Sequence, residues 1–238
     1  MEGILSFLTE NGLAILLTAA VAYLLGSLNF AFIIVRLKTG KDIRTMGSGN
    51  AGTTNVLRNA GKIPALLTLI GDAGKAVLAV FAGRWIFMSL GSASASDVSL
   101  IVFGGYIAGV FCLFGHLFPL YFGFKGGKGV ATTAGMLLVI DWRVMVFGVS
   151  IFIIVVLITR IVSLSSIIAG CSFPVASFVF SYFFDYQAGL YPLDTVIVST
   201  VMSVLIAAIM VYMHKENMKR LRNHTEKRIS FGGRKENA

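Results

Sequence analysis

Residues 130–140 read VATTAGMLLVI, an apolar run between the glycine-rich segment KGGKG at 125–129 and the charged residues Asp141 and Arg143. The run is shorter than the roughly 20 residues that a helix needs to cross a bilayer. Longer apolar runs surround it, at residues 11–36, 63–90, 98–122, 143–162, 164–184 and 193–213. Whether the short run also crosses decides the number of spans, and therefore the side of the membrane on which each loop lies.

The composition is typical of an integral membrane protein. Of the 238 residues, 56% are hydrophobic and 13% are charged, and the mean hydropathy is +0.84. A soluble domain of this size does not need so much apolar surface. The apolar runs are continuous rather than alternating segments of about ten residues, which argues against an outer-membrane barrel. The sequence therefore predicts an all-α, polytopic membrane helical bundle.

The net charge of +9 indicates contact with membrane lipids rather than with nucleic acid. Of the 20 Lys and Arg residues, eight follow Met213 and six lie between Arg36 and Lys62. Basic residues clustered at the ends of apolar spans mark cytoplasmic loops that face anionic lipid. The two cysteines, Cys112 and Cys171, lie in apolar runs, so small buried packing residues are expected rather than a disulfide or a metal site.

The distribution of positive charge favours seven spans. If the basic loop 36–62 is cytoplasmic, six spans would leave the basic C-terminal tail outside, against the positive-inside rule. If 130–141 crosses as a short helix, the tail is cytoplasmic. The sequence thus predicts seven transmembrane helices, one of them short, with the N-terminus outside and the C-terminus in the cytoplasm. Polar segments then share the cytoplasmic face: 37–62, 119–129, 160–166 and the residues after Tyr212.

The segment GSGNAGTTNVLR, from Gly47 to Arg58, has the composition of a phosphate-binding loop. Glycines expose backbone N–H groups, and an arginine binds phosphate through two parallel hydrogen bonds. No βαβ unit surrounds the G-x-G-x-x-G pattern, so it is not a Rossmann fingerprint. A flexible loop of turn residues is the alternative, but the density of small polar side chains favours phosphate binding: hydroxyls at Ser48, Thr53 and Thr54, and amides at Asn50 and Asn55.

A second glycine-rich segment, GHLFPLYFGFKGGKGVATT, runs from Gly115 to Thr133. Lys128 stands among glycines just before a predicted helix, and free N–H groups at a helix N-terminus bind anions. The segment is not a Walker A motif, because Lys128 is followed by glycine. Contact with lipid headgroups would explain the lysine but not the glycines around it. A packed, hydrogen-bonded histidine is the favoured interpretation of His116.

Two weaker motifs complete this face. RIVSLSSIIAG, beginning at Arg160, places Ser163 at the junction of two spans, where simple packing is an equally good explanation. YMHKENMKRL, beginning at Tyr212, places His214 and Asn217 on one helical face, although a basic juxtamembrane helix is also a common lipid anchor.

Asp72 and Lys75 are charged residues within the second apolar run, at i, i+3 spacing. Charges inside a span usually face the interior of the bundle as pairs. We expect this pair to support the site structurally rather than to take part in the reaction.

Four segments of the chain together resemble the bacterial membrane acyl-phosphate:glycerol-3-phosphate acyltransferases, the PlsY type. They are GSLNFAFIIVRLKTGKDIRTMGSGNAGTTNVLR, GHLFPLYFGFKGGKGVATT, RIVSLSSI and YMHKEN. The first two motifs are long and specific. The resemblance implies seven helices in the bacterial cytoplasmic (inner) membrane with the active site on the cytoplasmic face. It implies transfer of a fatty acyl group from acyl phosphate to the 1-position of sn-glycerol 3-phosphate, giving lysophosphatidic acid and phosphate, without a cofactor.

The resemblance also assigns site residues. Ser48, Thr54 and the Gly126–Gly127 backbone would bind acyl phosphate. Ser48, Asn50, Thr54 and Lys128 would be catalytic. Glycerol 3-phosphate would be held by the remaining polar positions: Arg58, Lys128, Ser163, His214 and Asn217. No metal is implied.

The last apolar run and the basic residues after it divide the chain into a transmembrane acyltransferase domain, 1–213, and a basic cytoplasmic juxtamembrane helix and tail, 214–238. The resemblance places the reaction at the first acylation of phospholipid biosynthesis, and contact with the soluble enzyme that makes acyl phosphate would be compatible with it. The chain departs from the family pattern at Thr53 and in the segment GSLNFA at 26–31.

The chemistry favours an enzyme that needs little from a protein base. Acyl phosphate is a mixed anhydride whose phosphate is already a good leaving group, so the site has to align the reactants and neutralise charge. We expect substrate-assisted catalysis, with His214 positioning rather than accepting the proton. No histidine is followed by the aspartate of a His-x₄-Asp motif, and the scattered acids do not suit a metal-dependent phosphotransferase. A membrane transporter of an organic phosphate is the alternative from another class, but inverted repeats and polar mid-membrane helices are missing.

Overall fold

The computed structural model describes residue 7 and residues 9–92 and 97–229, and helix is the only regular secondary structure within those ranges. The long helices follow the apolar runs, and shorter ones lie in the polar connections. The helices are α1 (Gly12–Ser27), α2 (Phe30–Thr39), α3 (Thr53–Ala60), α4 (Lys62–Leu90), α5 (Asp97–Leu117), α6 (Val130–Ile140), α7 (Trp142–Thr159), α8 (Val162–Val179), α9 (Leu193–Met213) and α10 (Lys215–Arg222). Short 3₁₀ turns lie at Ile43–Thr45 and Leu120–Phe122, and α8 continues as a π-helix over Phe180–Tyr186.

Among the described residues, six helical segments are long and apolar enough to cross a bilayer: Gly12–Thr39, Lys62–Leu90, Val98–Phe122, Trp142–Thr159, Val162–Tyr186 and Leu193–Met213. The prediction of an all-α, multi-pass membrane protein is confirmed. The short helix α6 has 11 residues. At 1.5 Å per residue it is about 16 Å long, roughly half the thickness of the hydrocarbon core.

The first apolar run is not one continuous helix, contrary to the expectation for residues 11–36. Leu28 and Asn29 interrupt it, and the Asn29 side chain caps α2 by accepting the N–H of Phe32 at 3.3 Å. Asparagine favours this position because its side chain replaces the missing backbone acceptor. The break leaves the Leu28 carbonyl free to accept a hydrogen bond from a neighbouring helix.

Close backbone contacts hold the central helices together. A Cβ on Gly115 of α5 would meet the α1 backbone at Ser27 and Gly26, and a Cβ on Gly135 of α6 would meet the α4 backbone at Ala73. Small residues let membrane helices approach closely and gain dispersion energy. Buried Cys112 packs as expected, whereas Cys171 is exposed, so the expectation of burial was wrong for the second cysteine.

The two ends of the bundle differ in chemistry. At one end, Arg143 forms ion pairs with Asp141 at 2.9 Å and with Asp185 at 2.6 Å. The other end holds the polar motifs, namely the loops before α3 and α6, the start of α8 and the junction of α9 with α10. After α10 the chain folds back, and the N–H of Ile229 donates to the Arg160 carbonyl at 2.8 Å. Residues 1–6 and 230–238, which include the predicted outer N-terminus and the end of the predicted tail, lie outside the described ranges.

Candidate active site

A cavity of about 1100 Å³ lies at the end of the bundle that carries the polar motifs. Part of its lining is apolar and comes from α4, α6, α7 and α8: Leu69, Leu137, Met145, Phe152, Ile153 and Phe173. The rest is polar and comes from the loops and helix ends. A cavity with both kinds of lining suits a ligand that has a charged head and an apolar chain.

Most of the residues predicted from the sequence line this one cavity. They belong to four segments that are distant along the chain but adjacent in the fold: Ser48, Asn50, Thr54, Arg58, Lys128, Ser163, His214 and Asn217. Arg58 is an exposed cation on the lining and forms no ion pair within the described ranges. The cavity therefore has a strongly cationic and hydrogen-bonding side.

Asn55 holds the glycine-rich loop in shape. Its side chain is 2% exposed, and Nδ2 donates to the carbonyls of Met46 at 2.9 Å and Asn50 at 3.0 Å. Its Oδ1 accepts the N–H of Ser48 at 3.0 Å. The amide expected to bind phosphate is instead used by the backbone of the loop, because an irregular loop has no regular backbone partners for its carbonyls and N–H groups. Asn55 thereby presents Ser48 and Thr54 to the cavity.

Two helices begin at the cavity. Gly52 precedes α3, and Gly129, with φ of +80°, precedes α6. The first turns of both helices line the cavity, through Thr53 and Thr54 and through Val130 and Ala131. Unpaired N–H groups and the helix dipole make each N-terminus attractive to an anion. A positive φ is easily adopted only by glycine, which explains Gly129 at this turn.

The structure does not bring Gly126 and Gly127 to the cavity lining. The N–H of Gly126 donates to the Leu117 carbonyl at 3.0 Å, and that of Gly127 donates to the His116 carbonyl at 3.3 Å. These carbonyls end α5 and would otherwise lack partners. The expectation that the two N–H groups are open to phosphate is therefore corrected. Both glycines are needed because a Cβ at either position would collide with the end of α5.

A hydrogen-bonded network joins the residues around Lys128. Its Nζ donates to Oδ1 of Asn217, and Nδ2 of Asn217 donates to Oε1 of Glu226 at 2.7 Å. The same carboxylate oxygen accepts from Oγ of Ser163 at 2.8 Å, and Oε2 accepts from Nε of Arg220 at 2.6 Å. Glu226 was not predicted from the sequence. It belongs to no motif, and only the fold-back after α10 brings it to the site.

Burial tunes the basic groups of the network. It lowers the pKa of Lys128 to about 8, assisted by the nearby Arg220 and opposed by Glu226. Burial also lowers the pKa of His214. The His214 Nδ1 lies 2.8 Å from the Met210 carbonyl, which can only accept, so the neutral ring carries its proton on Nδ1. Only Nε2 is then available as an acceptor.

Beside the cavity, Asp72 and Lys75 form the expected pair, with Oδ1 and Nζ 3.0 Å apart. Both side chains are buried, and both Asp72 and His116 also line the cavity. Lys75 Nζ donates to the Leu28 carbonyl at 2.7 Å and lies 3.0 Å from Nδ1 of His116. The pair thus connects α4 to the break after α1 and to the end of α5. The sequence indicated the pair but not these cross-helix partners, which depend on tertiary packing.

Comparisons with known proteins agree with this geometry. A family model described as glycerol-3-phosphate acyltransferase matches residues 16–224. The glycerol-3-phosphate acyltransferase of Clostridioides difficile (strain 630) is 38% identical over 215 residues, covering 90% of this chain and 95% of that protein. The enzyme of the same name from Coxiella burnetii (strain CbuG_Q212) is 37% identical over 219 residues, covering 92% of this chain and 100% of that protein.

Solved structures give the same result. The crystal structure of PlsY (YgiH), an integral membrane glycerol 3-phosphate acyltransferase, in its glycerol 3-phosphate form has a TM-score of 0.72 and 34% identity, covering 91% of this chain and 96% of that one. Its lysophosphatidic acid form has a TM-score of 0.69 and 32% identity, covering 91% of this chain and 95% of that one. The family match, the relatives and the shared fold show that this chain belongs to the glycerol-3-phosphate acyltransferase family.

Proposed function

We propose that this protein transfers a fatty acyl group from acyl phosphate to the 1-hydroxyl of sn-glycerol 3-phosphate, giving lysophosphatidic acid and phosphate. The observation that carries the proposal is the cavity of about 1100 Å³, which combines an apolar wall with two helix N-termini and several cationic side chains. An acyl chain fits the first part of this lining, and two phosphate groups fit the second. The names of the relatives support glycerol 3-phosphate as the acceptor.

The donor site lies between α3 and α6. Ser48 and Thr54 provide hydroxyl donors, Asn50 lies in the same loop, and the first turns of α3 and α6 provide N–H groups. The leaving phosphate of a mixed anhydride needs such donors because negative charge develops on it as the carbon–oxygen bond breaks. Gly126 and Gly127 act indirectly, by allowing the turn that places Lys128 and α6.

The acceptor site lies across the cavity, where Arg58, Lys128, Ser163, His214 and Asn217 hold glycerol 3-phosphate. Arginine and a partly buried lysine attract the phosphate, while serine and asparagine hydrogen-bond to its oxygens or to the glycerol. Lys128, between the two sites, is placed to stabilise charge in both. The residues need only keep the glycerol hydroxyl aligned with the acyl carbonyl.

The reaction is substrate-assisted. The glycerol 1-hydroxyl oxygen bonds to the acyl carbon, the bond from that carbon to the phosphate oxygen breaks, and the hydroxyl proton moves to the departing phosphate. His214 orients the acceptor: its ring is buried, the Nδ1 bond to the Met210 carbonyl fixes the ring orientation, and Nε2 is left to accept a hydrogen bond from the glycerol. No metal or other cofactor is required by this scheme.

The enzyme would work at the inner face of the bacterial cytoplasmic membrane. Seven crossings, with α6 as the short one, would place the N-terminus outside, the transmembrane domain over 1–213, and the basic helix and tail, 214–238, in the cytoplasm. The ion pairs of Arg143 at the end remote from the cavity support a crossing between Lys128 and Asp141. A cytoplasmic cavity could also receive acyl phosphate from the soluble enzyme that makes it.

The test is an assay of the purified protein in lipid vesicles with acyl phosphate, acyl-CoA or acyl carrier protein as the donor. Lysophosphatidic acid should form with acyl phosphate and glycerol 3-phosphate, with release of one phosphate per product. Activity with acyl-CoA alone would overturn the donor assignment. Uptake of glycerol 3-phosphate into the vesicles without acylation would favour an organic-phosphate transporter instead.

A further inference from the structure

The segment after α10 turns back over the site and places a carboxylate among the residues that line it. Hydrogen bonds hold the segment: the N–H of Thr225 donates to the Arg220 carbonyl at 2.8 Å, and the N–H of Ile229 donates to the Arg160 carbonyl at 2.8 Å. Glu226 lies between these anchors and lines the cavity. The family match ends at residue 224, so Glu226 lies just beyond the part of the chain that the family describes.

The partners of Glu226 are the groups proposed above to bind glycerol 3-phosphate. Its Oε1 accepts from Ser163 Oγ at 2.8 Å and from Asn217 Nδ2 at 2.7 Å. Asn217 in turn accepts from Lys128, so three of the five proposed acceptor-site residues belong to one network with this carboxylate. A carboxylate and a phosphate make the same demand on such a site, since both are anionic oxygen acceptors for hydroxyl, amide and cationic donors.

We propose that the Glu226 carboxylate, bound to Ser163 and Asn217, competes with glycerol 3-phosphate for its site. The carboxylate must leave these two residues before the phosphate of the substrate can bind. The inference rests on the proposed function of the site. A phosphate dianion cannot share these donors with a carboxylate, because two like charges at hydrogen-bond distance repel strongly in a partly buried cavity. Glu226 therefore sets the affinity of the site for its acceptor substrate.

A role for Glu226 as general base does not fit its contacts. Both oxygens already accept hydrogen bonds, and Arg220 holds one of them at 2.6 Å. Burial is the largest single influence on the pKa of this carboxyl and raises it. The hydrogen bonds from Arg220, Asn217 and Ser163 together outweigh burial, so the pKa is lowered. A carboxylate stabilised in this way is a poor proton acceptor but a good substitute for phosphate.

The experiment compares full-length wild type, Glu226→Gln and, as a matched control, Asp194→Asn in lipid vesicles. Asp194 loses the same charge in the first turn of α9, at the end of the bundle remote from the cavity. In Glu226→Gln, the KM and the dissociation constant for glycerol 3-phosphate should both fall about three- to tenfold, as expected for loss of a charge-assisted competing contact. The KM for acyl phosphate should stay the same and kcat should change less than twofold. The control should match the wild type.

A Glu226→Gln protein with unchanged affinity for glycerol 3-phosphate would overturn the inference, and so would one with weaker affinity or a large loss of kcat. Unchanged affinity would mean that the contacts of Glu226 with Ser163 and Asn217 do not weaken the binding of glycerol 3-phosphate. Weaker affinity or a large loss of kcat would mean that Glu226 assists binding or the reaction. Glu226→Asp, which keeps the charge on a shorter side chain, should give an intermediate affinity if the variant folds, as checked by thermal unfolding. Failure of the proposed function is distinguishable, because the wild type would then form no lysophosphatidic acid from glycerol 3-phosphate, whatever its affinity for that compound.

Discussion

Lys128 donates a hydrogen bond from Nζ to Oδ1 of Asn217, and this contact joins the turn before α6 to the juxtamembrane helix α10. The residues are far apart in sequence and belong to different predicted motifs. Their contact places the lysine between the proposed acyl phosphate side of the cavity and the proposed glycerol 3-phosphate side.

Replacing Lys128 should reduce the activity of the enzyme with both substrates, acyl phosphate and glycerol 3-phosphate. A Lys128→Met variant loses the cation and its hydrogen bonds, and bonds to charged groups contribute about 1.5–3 kcal/mol each. We expect kcat/KM for glycerol 3-phosphate to fall about 10- to 100-fold in steady-state assays. Lys125→Met is the matched control, because Lys125 is an exposed lysine of the same glycine-rich turn that does not line the cavity. Full activity of Lys128→Met would contradict the proposed site.

The pH dependence of the free enzyme should report Lys128. Burial and Arg220 lower the pKa of its ammonium to about 8, so the cation is present below that pH and is lost as the pH rises through it. The value of kcat/KM for glycerol 3-phosphate should therefore decline above about pH 8, since this ratio reflects ionisation of the free enzyme. Lys128→Arg, whose guanidinium stays charged, should move that decline to higher pH. A decline at the same pH in the arginine variant would assign it to another group.

Asn55 should be indispensable for the shape of the glycine-rich loop before α3. Asn55→Ala leaves the carbonyls of Met46 and Asn50 and the N–H of Ser48 without their partner, at a cost of about 0.5–1.5 kcal/mol for each lost hydrogen bond. We expect a raised KM for acyl phosphate and a lower temperature of unfolding in detergent. Asn50→Ala is the informative comparison, because the structure uses the Asn50 backbone carbonyl rather than its side chain to hold the loop. It should unfold at the wild-type temperature.

The polar motifs and the helical bundle were predictable from the sequence because each depends on local composition. Apolar runs marked the long helices, and clustered glycines, hydroxyls and basic residues marked the loops that line the cavity. The sequence pointed to Asn29 only through the departure of segment 26–31 from the family pattern, because a single capping asparagine hardly changes the hydropathy of its run. The positions of Gly126 and Gly127 were missed because their N–H groups are satisfied by carbonyls of another helix end. Such contacts, like that of Glu226, arise only when the helices pack.

Asp72 should be important for stability. In Asp72→Asn the Lys75 ammonium remains buried without its counter-charge, and breaking a buried pair in this way costs about 3–5 kcal/mol. Thermal or denaturant unfolding in detergent should show this loss. The double variant Asp72→Asn/Lys75→Met removes the stranded charge and should recover part of the stability. If Asp72→Asn unfolds like the wild type, the pair does not support the fold.

Substitution of His214 tests the proposed substrate-assisted mechanism. A histidine that accepts the hydroxyl proton contributes about 10²–10⁴-fold to the rate, so its removal would reduce kcat by that factor while substrate still bound. A positioning histidine acts through the acceptor instead, so His214→Ala should raise the KM for glycerol 3-phosphate and leave measurable turnover. The bond from Nδ1 to the Met210 carbonyl holds the ring in either role. Burial lowers the pKa of His214 and makes its Nε2 a weaker proton acceptor, which favours the second outcome. His214→Gln, which retains a polar side chain, should recover part of the affinity. Loss of turnover in His214→Ala with unchanged binding of glycerol 3-phosphate would make the imidazole the base and reject transfer of the proton to phosphate.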